Sequence, residues 1–305
     1  MIKRIKKSKI FSMLYTFYSL KSELDSHKLL TAKLLIELNK KRAETILLNL
    51  HEAEFQVFSQ WGDDGIIQFL VNYLDIEKKT FVEFGVEDYR ESNTRFLLIN
   101  NNWSGLVIDN SIKNIRRLEG EDIYWRHQLT AVTAHITKDN INELLKENGY
   151  VQDAGLLHID IDGNDYWVWK AIDVMSPVIV IMEYNSVFGD KQPWTVPYDP
   201  LFNRTKYHYS NLAFGASLQS LCDLAEEKGY HFIGCNSNGV NAYFIRKDKI
   251  KDLKPLTAGE GYMLSKFRES RDKQGKLSFT SAEKRLLQLK GAEVYNTRTG
   301  ALEMI

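Results

Sequence analysis

The densest run of chemistry-bearing side chains in this 305-residue chain is His158-Ile159-Asp160-Ile161-Asp162-Gly163-Asn164-Asp165. Side chains alternate along an extended strand, so His158, Asp160 and Asp162 fall on one side of it. Two carboxylates there can act as a general base or bind a hard divalent cation such as magnesium. A second apolar run closes on Glu183-Tyr184-Asn185. If the two strands are neighbours, Glu183 faces Asp160. It then completes a cation set of Asp160, Asp162 and Glu183, or joins Asn185 in binding an acceptor's hydroxyls. The plainer readings are a hydrogen-bonded strand end for Glu183, a satisfied core histidine for His158, and a turn with a helix N-cap for residues 162–165. A calcium loop is excluded, because the distal bidentate glutamate is missing at the required spacing.

A second constellation lies upstream. Thr80-Phe81-Val82-Glu83-Phe84-Gly85 is an apolar run ending at a glycine, and Gly105-Leu106-Val107-Ile108-Asp109-Asn110 ends in an acid 24 residues after Gly85. This is the layout of a strand–loop–helix–strand nucleotide site, with Gly85 at the turn and Asp109, flanked by Asn110, at a ribose. A dinucleotide site would need a glycine-rich loop to bring backbone against a pyrophosphate. Here the loop carries one glycine and the acids Glu87, Asp88 and Glu91, which repel phosphate. That argues against a nicotinamide-dependent oxidoreductase. A ligand without phosphate and with a positive centre suits the loop, and S-adenosylmethionine, with a sulfonium and an ammonium, is such a ligand. Taken singly, each acid reads as part of a solvated turn.

Two further candidates lie downstream. His208, between Tyr207 and Tyr209, is a second possible base, although loop histidines are often merely solvated. Arg268 and Arg271 share a face if their segment is helical, where they would grip a substrate phosphate or carboxylate. A surface salt-bridge ladder explains that pair equally simply.

Positioning these residues requires an α/β fold. Candidate strands are 80–85, 105–109, 123–127, 155–161, 177–184, 230–235 and 241–246, with helices at 92–101, 111–119, 138–148, 164–174 and 216–228. Such alternation predicts a Rossmann-like, mostly parallel seven-stranded sheet covered on both faces. The short link Asn236-Ser237-Asn238-Gly239 allows only an antiparallel pair, so the sheet ends in a hairpin. Residues 185–215 form a strand-poor insertion with three of the chain's five prolines, expected to act as a lid or binding loop. The expected organisation is a helical appendage over 1–55, the main domain over 56–250, and a mostly helical tail over 251–305.

Forty basic and forty acidic residues balance to a formal charge of zero, which argues against a nucleic-acid-coating protein. Two cysteines, Cys222 and Cys235, suit a reducing cytoplasm and give no zinc spacing. No stretch is long and apolar enough to span a bilayer. The basic start, residues 1–9, leaves two readings: a solvated helix, which is favoured, or a segment touching an anionic inner-membrane surface. The helical appendage can also mediate self-association.

Residues 56–275 resemble the FkbM-type methyltransferases, and more closely a bacterial group of Rossmann-like proteins related to them. The resemblance rests on Phe58-Ser59-Gln60-Trp61-Gly62-Asp63-Asp64-Gly65, the glycine and aspartate runs above, Asn93-Thr94-Arg95-Phe96-Leu97, Ile159-Asp160-Ile161-Asp162-Gly163-Asn164-Asp165, Gly215-Ala216-Ser217-Leu218, and Gly229-Tyr230 through Asn241-Ala242-Tyr243-Phe244. It implies methyl transfer to an oxygen of a sugar or glycan precursor in surface-polysaccharide synthesis. By motif match, Glu83 and Gly85 would lie under the methionyl part of the cofactor and Asp109 at the ribose. Asp160 would stand at the family's acid on the fourth strand, where it or His208 takes the hydroxyl proton. Tyr89 departs from the pattern, standing where the wider methyltransferase group prefers glycine. That leaves either a rerouted loop, or lost cofactor binding in a non-catalytic module of a polysaccharide assembly.

Overall fold

The computed structural model describes residues 2–281 and 284–305, with the side chains of several residues in the first helical turns outside that description. Its main sheet contains β1 (Thr80–Phe84), β2 (Ser104–Asp109), β3 (Leu129–Thr133), β4 (Gln152–Ile159), β5 (Met175–Glu183), β7 (Tyr230–Cys235) and β8 (Asn241–Arg246), while β6 (Trp194–Thr195) lies elsewhere. The order is β3-β2-β1-β4-β5-β8-β7. The first five strands are parallel, and β8 is antiparallel to both β5 and β7. The chain switches direction across the sheet between β1 and β4, and the crevice at such a point is where open α/β sheets bind ligands.

Burial follows the pleat. Val82 and Phe84 enter one core layer with Ile159, Trp169 and Leu221. Phe81 points to the other, with Ile66, Leu97, Val107 and Tyr243. Each such side chain contributes about 1.5–3 kcal/mol by leaving water. Glu83 shares the face of Phe81, and the β1–β4 register sets it opposite His158. The hairpin turn uses Gly239 at φ +69, where a Cβ would come within 2.5 Å of the Met263 carbonyl oxygen.

Two expectations are corrected. Residues 123–127 are not a strand; the helix Asp122–Arg126 occupies them, and the edge strand is β3. Only Leu129 of β3 is fully buried, so this edge strand carries little of the apolar signal that marks the inner ones. The tail is not mostly helical. Its short helices, Ala258–Gly261 and Lys284–Gln288, are joined by β9 (Glu293–Asn296) and β10 (Leu302–Met304). These two strands form a second sheet with β6 of the insertion, Trp194 pairing with Asn296. Val187, Val196 and Leu212 of the insertion pack there against Leu289 and Val294 of the tail.

The first helix, Ile2–Lys41, matches the helical expectation for the start of the chain. Ala32 and Ile36 pack on Val57 and Phe96, and the Asn39 amide donates to the Ala53 carbonyl. Among the described residues no helix is long and apolar enough to cross a membrane. The membrane reading of the basic start falls largely on side chains outside the described residues.

Candidate active site

A cavity of ≈ 660 Å³ opens at the C-terminal ends of β1, β2, β4 and β5. Its floor depends on Gly85, which turns the chain at φ +75 and donates its N–H to the Ile108 carbonyl. A Cβ at this position would meet the Asp160 carbonyl oxygen at 1.7 Å, so the β1 turn lies directly on the β4 turn. Left-handed backbone and contact with a main chain that cannot swing aside both exclude a side chain. Gly85→Ala is therefore expected to cost about 2–4 kcal/mol of stability and to open the cavity floor. Urea titration with a ligand titration in parallel checks this; an unchanged midpoint would refute the close approach.

Asp109 ends β2 with each carboxylate oxygen holding one backbone amide, Glu87 N on Oδ2 at 2.8 Å and Ser111 N on Oδ1 at 2.8 Å. The two amides fix the plane of the carboxylate, and each oxygen keeps a second lone pair. Asp109, Asn110, Glu87 and Glu91 all line the cavity. Tyr89 does not obstruct it. The residue sits at φ +60, the conformation a glycine would take easily, while its ring is fully buried in the core and its hydroxyl meets Thr94 Oγ1 at 2.9 Å. Burying the ring, about 1.5–3 kcal/mol, offsets the backbone penalty of about 1–2 kcal/mol. The loop is rerouted around a core anchor.

Glu83 is fully engaged by protein. Its carboxylate accepts from Asn93 N, Thr94 N, and the Ser92 and Thr94 hydroxyls, and His158 Nδ1 lies 2.9 Å away. Burial alone would raise its pKa; His158 and the hydroxyls outweigh burial and lower it. His158 is likewise enclosed, with Nε2 3.1 Å from the Asn93 amide nitrogen. Burial opposes its charge, but Glu83 prevails and raises its pKa. This is the satisfied core histidine, and the pair holds loop 92–94 at the cavity wall.

Asp160 and Glu183 follow the last paired residues of β4 and end β5, one step beyond the Ile159–Met182 register. Burial raises both carboxyls; Asp162 and Asp160 respectively are the strongest like charges, and a hydrogen bond from Glu183 favours ionised Asp160. Each carboxyl therefore raises the other, and the two titrate as a pair that gives up its protons less readily than two separate carboxyls would.

Asp162 departs from this pair. At φ +59 it turns outward, its side chain 65% exposed, and accepts from Arg204 at 2.8 Å. Asp165 holds the intervening loop through Ile161 N and Gly163 N, and burial pushes its carboxyl up to about 7. The cation set of Asp160, Asp162 and Glu183 is thus not assembled: among the described residues no group of three or more His, Cys, Asp or Glu side chains is arranged to hold a metal ion.

Other expectations change too. Asn185 lines the cavity, but its amide donates to the Leu212 and Phe214 carbonyls and its oxygen accepts from Val187 N, which pins the insertion. His208 lies outside the cavity lining with Nδ1 2.7 Å from Ser210 Oγ, and burial lowers its pKa. It is not brought to Asp160. Arg268 and Arg271 lie in irregular chain rather than a helix, directed to the Phe279 and Gly275 carbonyls, and do not line the cavity. The arginines that do are Arg204 and Arg285, alongside Gln60, Trp61 and His135. Of these, Arg204 carried a sequence signal, because Asn203 before it caps the helix Arg204–Tyr207 inside the insertion.

The fold is Rossmann-like. No protein-family model and no curated protein matches the sequence. Among solved structures, the chain is similar to an S-adenosylmethionine-dependent methyltransferase from Clostridium acetobutylicum ATCC 824, at 10% identity and TM-score 0.40 over 68% of this chain and 99% of that one. It is similar to a putative caffeoyl-CoA O-methyltransferase from Staphylococcus aureus, at 15% identity and TM-score 0.39 over 71% and 99%. A third is an O-methyltransferase from Bacillus cereus in complex with SAH, at 13% identity and TM-score 0.37 over 70% and 89%.

Proposed function

We propose that this protein is an S-adenosylmethionine-dependent O-methyltransferase acting on a hydroxyl of a sugar or glycan precursor. The observation that carries the reading is Asp109: a buried carboxylate, oriented by two backbone amides, facing a cavity beside a glycine turn whose loop bears acids. A ribose diol would find two acceptors there. Glu87 and Glu91 supply a negative field suited to an ammonium and a sulfonium, and unsuited to a pyrophosphate. The sugar class rests on the sequence resemblance.

When bound, the cofactor supplies an electron-poor methyl group. Asp109 would hold its ribose, and the Gly85 turn would pass under its methionyl part. Asp160 would take the proton of the acceptor hydroxyl. Glu183 orients that carboxylate through a hydrogen bond that favours its ionised form.

Calorimetric titration with S-adenosylmethionine, S-adenosylhomocysteine and NAD tests the reading. The first two should bind and NAD should not. Asp109→Ala should weaken binding by about 2–3 kcal/mol, roughly 30- to 150-fold. A folded protein that binds neither sulfur compound would overturn the assignment.

A further inference from the structure

The cavity has two electrostatic ends. Around Asp109 and Asp160 it is acidic. At the wall built from the tail stands Arg285, 2% exposed and lining the same cavity. Arg204, the other arginine of the lining, is already matched by Asp162 at 2.8 Å and Glu269 at 3.9 Å. Arg285 is not matched in this way. Its Nη1 donates to Ser265 Oγ at 2.7 Å and the Phe267 carbonyl at 2.8 Å, and its Nη2 to the Ser265 carbonyl at 2.7 Å. All three acceptors are neutral, and among the described residues no carboxylate lies within ion-pair distance of it. Among the described residues its buried Nε has no hydrogen-bond partner.

A buried cation held only by dipoles is costly unless an anion joins it. Methionine or a leucine would fill the same space without that cost. Among the described residues, the donors left uncommitted are Nε–H and the second hydrogen of Nη2, on neighbouring nitrogens of one planar group. That is the fork by which arginine engages two oxygens of a carboxylate or phosphate. The fixed Ser265 and Phe267 contacts orient the fork in advance.

We propose that Arg285 is the anion-recognition residue of the acceptor subsite, and that the acceptor sugar carries an acidic group, a carboxylate or a phosphate. This rests on the methyltransferase reading for the identity of the acceptor, but not for the existence of the anion site. The acidic group docks at the tail side of the cavity, and the sugar hydroxyl to be modified extends toward Asp160.

The test is calorimetric titration of the full chain with glucose, glucuronate and glucose 1-phosphate, with S-adenosylhomocysteine titrated separately. At least one acidic sugar should bind roughly ten- to a hundredfold more tightly than glucose, and the better of the two identifies the anion. Arg285→Gln should remove that preference while S-adenosylhomocysteine binds as before. Arg285→Lys, which keeps the charge and loses the fork, should retain only part of it and guards against a variant that fails to fold. Equal binding of all three sugars to the wild type, or a preference that survives in Arg285→Gln, overturns the proposal. Acidic-sugar preference without S-adenosylhomocysteine binding would instead overturn the methyltransferase reading and leave the anion site standing.

Discussion

Asp160→Asn should lower kcat about 10²- to 10⁴-fold and leave S-adenosylhomocysteine affinity within a few-fold of the wild type. The amide keeps the shape of the carboxylate but cannot take the hydroxyl proton. The substitution also removes a carboxyl whose ionised form is disfavoured by burial and by Asp162, so the melting temperature should hold or rise. Lost turnover in a protein that has not lost stability separates a chemical role from a structural one.

The pH profile gives an independent reading of the same group. Asp160 is raised to about 6, chiefly by burial and then by Asp162. A base must be ionised to work, so turnover should be full above this value and fall as pH drops through it. An Asp160→Asn enzyme with wild-type kcat, or a flat profile between pH 5 and 8, would remove Asp160 from the mechanism.

Glu83→Ala should be the most destabilising single change at the site, by about 3–5 kcal/mol in urea unfolding. It deletes an acceptor serving two backbone amides and two hydroxyls and leaves the raised-pKa His158 without its partner. Loop 92–94 then has no anchor, so cofactor affinity should drop as well. The sign with pH follows from the lowered pKa. The stability Glu83 contributes is present above the ordinary glutamate value, near 4.5, and is lost as pH falls through its lower folded value. Asp165 runs the other way. Its folded value of about 7 lies above its ordinary one, so it favours the fold most in acid and loses that contribution as pH rises toward 7. Below pH 4.5 the wild type should therefore approach Glu83→Ala in stability. A constant gap down to pH 3 would disprove the ionised network.

The parts of this fold legible in the sequence were those set by local physics. β1, β2, β4 and β5 are nearly continuous apolar runs because both faces are buried, and each ends on, or one residue before, a residue that meets the cavity. Gly85, Asp109, Asp160 and Glu183 could be located for that reason. What escaped depends on partners far along the chain. β6 is two residues long and exists only because β9, about a hundred residues later, pairs with it. Arg285 gives no local sign of its role, since its setting is made by Ser265, Phe267 and the insertion. Arg268 and Arg271 drew attention through a helical spacing that the chain does not adopt. Asp162 was placed with Asp160 by strand alternation, but the strand ends at Ile159 and a left-handed turn reverses its direction.

The pairing of β6 with β9 also bears on how the molecule comes into being. A chain emerges from its N-terminus onward, and the seven strands of the main sheet are complete by Arg246. The half of the cavity around Asp109 and Asp160 can then take shape while residues 285–305 are still to be made. The opposite wall, with Arg285 and the strand that clamps the insertion, arrives afterwards. At that stage the part of the cavity around Asp109 and Asp160 would stand without the wall that Arg285 completes, so the order in which the chain is made would also be the order in which the two sides of the cavity are built.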